Sequence, residues 1–282
     1  MKERNDLLFQ NNNFNFIRVV AAALVIITHT YVLVGLGIGH DFLYRLTQKD
    51  MSVSILGLRA FFVISGFLIA QSMERSSTYK SFFIKRVLRI LPGLMACLLV
   101  TILILGAAFT NTTLFDYFSR SSTWHYLYNI FLFKIQFMIP TVFENNFDQT
   151  VNGSIWTLAY EFSYYIMVMC LHRLGMFTKK WISLVVCMSF FLIQIYTLYG
   201  NVPAKLFYFA LHTDLQLDYF SDFGLFFMAG VVLYLYRSSI AYTHLLACLM
   251  LALYVGSVLI GLPWIMKYIT IPYFIMYLAF VP

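Results

Sequence analysis

Phe16-Ile17-Arg18-Val19-Val20-Ala21-Ala22-Ala23-Leu24-Val25-Ile26-Ile27-Thr28-His29 is the first strongly apolar stretch of the chain, and its reading decides the fold. With its flanks it is long enough for a helix that crosses a bilayer, which needs about 20 mostly apolar residues. Arg18 and His29 stand eleven residues apart in it, almost three helical turns. Both therefore project from nearly one face, ~16 Å apart along the axis. Arg18 is close enough to one membrane surface to snorkel, whereas His29 lies deep, toward the other. An ionisable group at depth is costly and usually serves a task, and a buried imidazole points to proton chemistry.

Working outward, similar apolar runs recur to the end of the 282-residue chain, which is 61% hydrophobic and 11% charged. Soluble domains carry about a quarter charged residues. The pattern predicts helices over about residues 14–35, 54–73, 87–109, 153–173, 181–200, 219–236, 241–261 and 264–282. The expected fold is all-α, a polytopic transmembrane bundle of about eight spans forming one domain over 1–282. The net charge of +7 could suit nucleic acid, but the basic residues sit in short loops between apolar runs, where membrane topology accounts for them. The bilayer is thus the expected partner, and nucleic acid is not. Cys97, Cys170, Cys187 and Cys248 are scattered singly in apolar stretches, with neither disulfide nor metal-ligand spacing. The first apolar run is too long and too polar in places for a signal peptide.

Residues 124–140 are apolar and aromatic but short, and contain His125, Lys134 and Gln136. Read as a surface or re-entrant segment, they leave eleven basic residues on one side of the membrane, among them Lys2, Arg4, Lys85, Arg86 and Arg89. The other side holds six, including Lys205 and Lys267. Because basic loops stay inside, the N-terminus is expected in the cytoplasm. Region 110–152, rich in Asn, Thr, Ser and aromatics, is then an outer lid.

On this topology His29, Arg59 and Glu161 converge toward the outer leaflet. His29 and Glu161 could form a base and its orienter, while Arg59 is expected to pair with Glu161 as glue between helices. At the inner surface, Arg86 and Arg89 are three residues apart and hence neighbours on one helix face, a geometry that suits a phosphate but also ordinary positive-inside decoration. Ser65 and Gly66 lie in mid-helix, where small residues permit close helix approach. His125, His172, His212 and His244 fall near segment ends and read as interfacial.

Four blocks occur in order: Arg18-x10-His29, Phe61-Phe62-Val63-Ile64-Ser65-Gly66-Phe67-Leu68-Ile69, Arg86-x-x-Arg89, and Asn152-Gly153-Ser154-Ile155-Trp156-Thr157-Leu158-x-x-Glu161. Together they resemble acyltransferase family 3, the membrane O-acyltransferases of bacterial surface polysaccharides, over nearly the whole chain. The resemblance implies an acyl-CoA donor, acetyl-CoA or another, entering from the cytoplasm of a bacterium, with the chain multi-pass in the inner membrane. It implies a carbohydrate hydroxyl as acceptor on the outer side and no metal. It matches Arg86 and Arg89 to the CoA phosphates, His29 to the base, Arg18 to a supporting basic group, and Glu161 and Trp156 to the outer motif. Arg59 departs from the family pattern. The family has about ten helices and a Tyr-rich terminal segment, so the chain, ending at Pro282, is expected to lack the last two. The residues alone leave one alternative open, a transporter or flippase using His29, Arg59 and Glu161 as a proton or substrate path.

Overall fold

The computed structural model describes residues 12–200 and 215–281. Lys2, Arg4, Lys205 and His212 lie outside the described residues. Eight long helices follow the apolar pattern. They are α1 (Phe14–Leu33), α2 (Val53–Glu74), α3 (Tyr79–Val100, continued by a π-helical turn to Gly106 and on to Phe109) and α4 (Thr157–Arg173). After them come α5 (Trp181–Tyr199), α6 (Leu217–Leu235), α7 (His244–Leu259) and α8 (Pro263–Phe280). Among the described residues there is no strand, only an isolated bridge between Thr110 and Val142. The chain is an all-α, multi-pass membrane protein. Among the described residues five helices, α1, α2, extended α3, α5 and α6, are long and apolar enough to cross a membrane by themselves, against the eight spans expected. The apolar stretches of α7 and α8 are shorter, and α4 is a 17-residue helix interrupted by Glu161.

Helix starts are fixed by local chemistry. Ser52 Oγ accepts from Ile55 N at 3.2 Å to open α2, and Thr78 Oγ1 accepts from Ser81 N at 3.1 Å to open α3. That threonine cap explains why α3 begins at Tyr79, eight residues before the apolar pattern starts it: its first two turns are helical but interfacial, with Lys80 and Lys85 exposed. The 110–152 region has no helix long and apolar enough to cross a membrane by itself. It holds only short helical turns, at Leu114–Ser119, Ser121–Trp124 and His125–Phe131.

The described residues fall into two compact units. The first takes the chain up to Arg75, Met167–Gly200 and everything from Ser221. Its interior is α2, two-thirds of whose apolar span is buried (67%), whereas α1 is buried over only 11% and turns Phe16, Val19 and Ile26 outward, as lipid-facing residues do. The small residues of α2 do what their size suggests. A Cβ on Gly66 would lie 1.9 Å from the Phe227 carbonyl oxygen, and one on Gly230 would lie 2.1 Å from that of Val63, so α2 and α6 touch backbone to backbone. Phe62 stacks on Phe223 beside this contact (4.6 Å between centroids). At the far end of the unit Asn13 N donates to the Ala279 carbonyl, bringing the start of α1 to the end of α8.

The second unit takes Ser76–Ile166 and the stretch ending at Phe220. Tyr117, fully buried, donates its hydroxyl to the Ile102 carbonyl at 3.0 Å, inside the π-helical turn of α3. A carbonyl freed by that irregular turn thus finds a donor from outside the helix. Asn129 closes the 129–136 segment on itself, accepting from Gln136 N and donating to the Gln136 carbonyl.

Candidate active site

His29 is half-buried in the penultimate turn of α1. Its Nδ1 faces the Val25 carbonyl one turn back at 2.8 Å, a contact that requires Nδ1–H and leaves Nε2 as the basic nitrogen. A backbone carbonyl of its own helix thus orients this imidazole. The preceding residue anchors the helix end. Thr28 Oγ1 donates to Asp41 Oδ2 at 2.6 Å and accepts from Ser54 N at 2.9 Å. Asp41 is fully buried and also accepts from the amides of Val53, Leu43 and Tyr44. Burial pushes its carboxyl up, but the Thr28 hydroxyl and these amides outweigh burial and hold it below its usual range. One carboxylate thus joins the end of α1, the connecting loop and the start of α2. Arg18, eleven residues earlier on α1, is likewise half-buried.

Where the sequence suggested Glu161, the ion-pair partner that the structure gives Arg59 is Asp222. Arg59 is buried within the first unit and forms this pair with α6 at 3.3 Å, its guanidinium lying 4.9 Å from the Phe226 ring centroid. Tyr268 donates to the other oxygen of the same carboxylate at 2.7 Å. Lys267 belongs to this buried group and is not a loop charge: it pairs with Asp50 at 2.9 Å, and Tyr254 donates to Asp50 as well. Two cations and two carboxylates leave the cluster neutral, which is how charge is tolerated inside an apolar bundle. The pairing missed in sequence had a visible signal, Asp222 within the apolar run of α6.

The second unit holds the arginine pair. Arg86 and Arg89 lie in the second and third turns of α3, Arg86 half-buried and Arg89 exposed. The Arg86 guanidinium carbon sits 5.7 Å from the Phe82 ring centroid and 6.0 Å from that of Tyr165 on α4. Its Nε is buried with no hydrogen-bond partner among the described residues. Glu161 is in this cluster: it accepts the hydroxyl of Tyr165, one turn along α4, and its charge reaches Arg86. Tyr165, 2% exposed, escaped the sequence reading, although its i+4 spacing from Glu161 signals it. Trp156, just before α4, packs edge-on to Tyr160 (5.4 Å) and against Tyr219 (4.9 Å).

Each unit thus holds one of the sequence-predicted groups, His29 in the first and the Arg86/Arg89 pair in the second. The sequence profile described as an acyltransferase domain matches residues 11–282. The chain belongs to this family. An O-acetyl transferase of Shigella phage Sf6 is 31% identical over 160 residues, 57% of this chain and 45% of that protein. Nodulation protein 10 of Rhizobium leguminosarum bv. viciae is 31% identical over 183 residues, 63% of this chain and 48% of that protein. The chain thus spans about half the length of each of these relatives. No solved structure matches it. Among the described residues no group of three or more His, Cys, Asp or Glu side chains could hold a metal ion.

Proposed function

We propose that this acyltransferase-family protein is an O-acyltransferase that takes an acyl group, acetyl in the simplest case, from cytoplasmic acyl-CoA. It passes the group to a hydroxyl of an extracytoplasmic sugar, across the inner membrane of a bacterium with the N-terminus inside. The observation that carries the reading is Arg86. A half-buried guanidinium with a buried, unpartnered Nε and a second arginine one turn away suits a phosphate, which accepts paired hydrogen bonds. Coenzyme A is rich in phosphates and carries its thioester on a long arm.

In this proposal Nε2 of His29 accepts the proton of the acceptor hydroxyl as the oxygen attacks the thioester carbonyl. The tetrahedral intermediate expels the CoA sulfur, the carbon–sulfur bond breaks, and the histidine proton passes to the thiolate, leaving an O-acyl ester and free CoA. The Nδ1–H contact with Val25 supports this role because it fixes the tautomer that leaves Nε2 unprotonated. Arg18 supports the base from below. The buried Arg59–Asp222 and Lys267–Asp50 pairs are the observation a transport reading would draw on, but their closed, neutral pairing suits a structural lock better. Purified protein given acetyl-CoA and a sugar acceptor is expected to release thiol and acetylated sugar. Movement of substrate without any thioester consumption would support transport and defeat the proposal.

A further inference from the structure

Within the second unit, the depth of the chain can be followed against α3. At the end of that helix Asn111 N donates to the Thr141 carbonyl at 2.8 Å, and the hydroxyls of Thr110 and Thr141 are 2.8 Å apart. Eleven residues further on the chain is much deeper. Asn152 Nδ2 donates to Cys97 Sγ at 3.5 Å, and Cys97 stands twelve residues, ~18 Å along the axis, before Phe109. The apolar part of α3 runs from Ile90 to Phe109, about the thickness of the hydrocarbon layer, so Cys97 is near its middle. A second stretch reaches the same depth. Val151 N donates to the Phe137 carbonyl at 2.9 Å, and the Phe133 ring lies 6.5 Å from that of Phe162, itself 6.0 Å from Phe83 near the start of α3. Residues 132–156 contain no helix. Non-helical chain therefore dips from the outer end of α3 to its middle, and α4 begins from that depth rather than from the surface. Backbone of this kind survives at membrane depth only inside protein or against water. Here the side chains favour water. Cys97 and Ser154 are exposed, and Asn152 between them is half-buried. The Ser154 amide donates to Asn152 Oδ1 at 3.0 Å and the Ser154 carbonyl accepts from Thr157 Oγ1 at 3.1 Å, but the Ser154 hydroxyl has no hydrogen-bond partner among the described residues.

We propose that Asn152, Gly153 and Ser154 line a water-filled recess, open to the outer side and ending beside Cys97, in which the Ser154 hydroxyl binds the hydroxyl-bearing end of the acceptor sugar. The inference rests on the proposed orientation and on sugar O-acylation, and it deepens that reading by placing an acceptor site at mid-membrane. Such a recess shortens the path of the acyl group. Cys97 stands eight residues, ~12 Å along α3, from Arg89, so a CoA held by its phosphates at the arginine pair has only that depth to cover with its arm.

The first test needs no turnover. The wild-type chain in right-side-out spheroplasts is treated with a charged, membrane-impermeant maleimide, and the modified cysteines are mapped by mass spectrometry. A thiol reacts as the thiolate, which forms in water and not in lipid, so Cys97 is expected to be modified while the cells are still closed. Modification only after the cells are opened, or only in denatured protein, would overturn the proposal. The second test is kinetic. S154A removes one hydroxyl and is expected to raise KM for the acceptor about three- to tenfold, the size of one lost hydrogen bond, with KM for acetyl-CoA unchanged. S154T keeps a hydroxyl and is expected to restore the wild-type value. An unchanged acceptor KM in S154A, or an equal rise for both substrates, would take Ser154 out of the acceptor site and overturn the proposal. The two layers of inference fail separately. Cys97 labelled from outside in a protein that consumes no thioester would defeat the O-acyltransferase reading and leave the recess, whereas an active protein with Cys97 unlabelled would do the reverse.

Discussion

At the residue scale, His29 and Asp41 show how much a side chain's immediate bonds decide. The Nδ1 contact of the imidazole with the Val25 carbonyl leaves Nε2 for the proposed role as base. H29A is expected to insert and fold but to lose acyl transfer by about 100-fold or more, the usual contribution of general-base catalysis. An assay of thiol release against detergent-stable protein checks this. R86K/R89K keeps the positive charge and removes the planar, two-pronged donors, so KM for acyl-CoA is expected to rise while KM for the acceptor holds. Asp41 bears on stability. Its folded carboxyl titrates below its unfolded value, so its contribution is complete above about pH 4 and is lost as pH falls through the lower folded value. Thermal melts of D41N in detergent should therefore show lower stability than wild type at neutral pH, with the gap closing in strong acid. A constant gap down to the lowest pH would show that the carboxylate charge is not what anchors α1 to α2.

At the scale of elements, the contact between α2 and α6 is made possible by two missing side chains. Gly66 and Gly230 face carbonyl oxygens across the interface, and no rotamer change can make room for a Cβ 1.9 Å from a backbone oxygen. G66V is expected to force the helices apart and to cost about 3 kcal/mol, the upper end for overpacking, whereas G93A on α3, where a Cβ would meet nothing within 4 Å, should be close to neutral. Thermal unfolding in detergent distinguishes them. The same backbone contact explains why Ser65 and Gly66 need no part in chemistry. The π-helical turn of α3 is held in a comparable way by Tyr117, whose ring occupies the space a side chain at residue 106 would need.

At the scale of the whole molecule, the proposed orientation rests on the distribution of basic residues in the loops. With the N-terminus inside, the α2–α3 connection at Ser76 and Ser77 is cytoplasmic and residues 110–152 face outward. In a background with the four native cysteines replaced, S77C is expected to react with a membrane-impermeant maleimide only after the cells are opened, and S119C in intact spheroplasts. The opposite pattern would invert the chain and put Arg86 and Arg89 on the wrong side for a cytoplasmic donor.

Hydropathy made eight helices legible in the sequence because each is set by its own apolar length, and three of them also by a cap. Ser52, Thr78 and Thr243 all act within their own turn. The placement of Arg86 and Arg89 on one face was equally legible, being a matter of i,i+3 spacing. Partnership across helices was not. Arg59 could have met Glu161 or Asp222, and Lys267 could have been a loop charge, because burial and pairing depend on which faces two distant helices turn toward each other. The tertiary structure alone paired Arg59 with Asp222 and Lys267 with Asp50, and drew Glu161 into the arginine cluster through Tyr165. The physical reason is the cost of unpaired charge in an apolar interior, a penalty set by the neighbours that folding supplies and by nothing in the local chain.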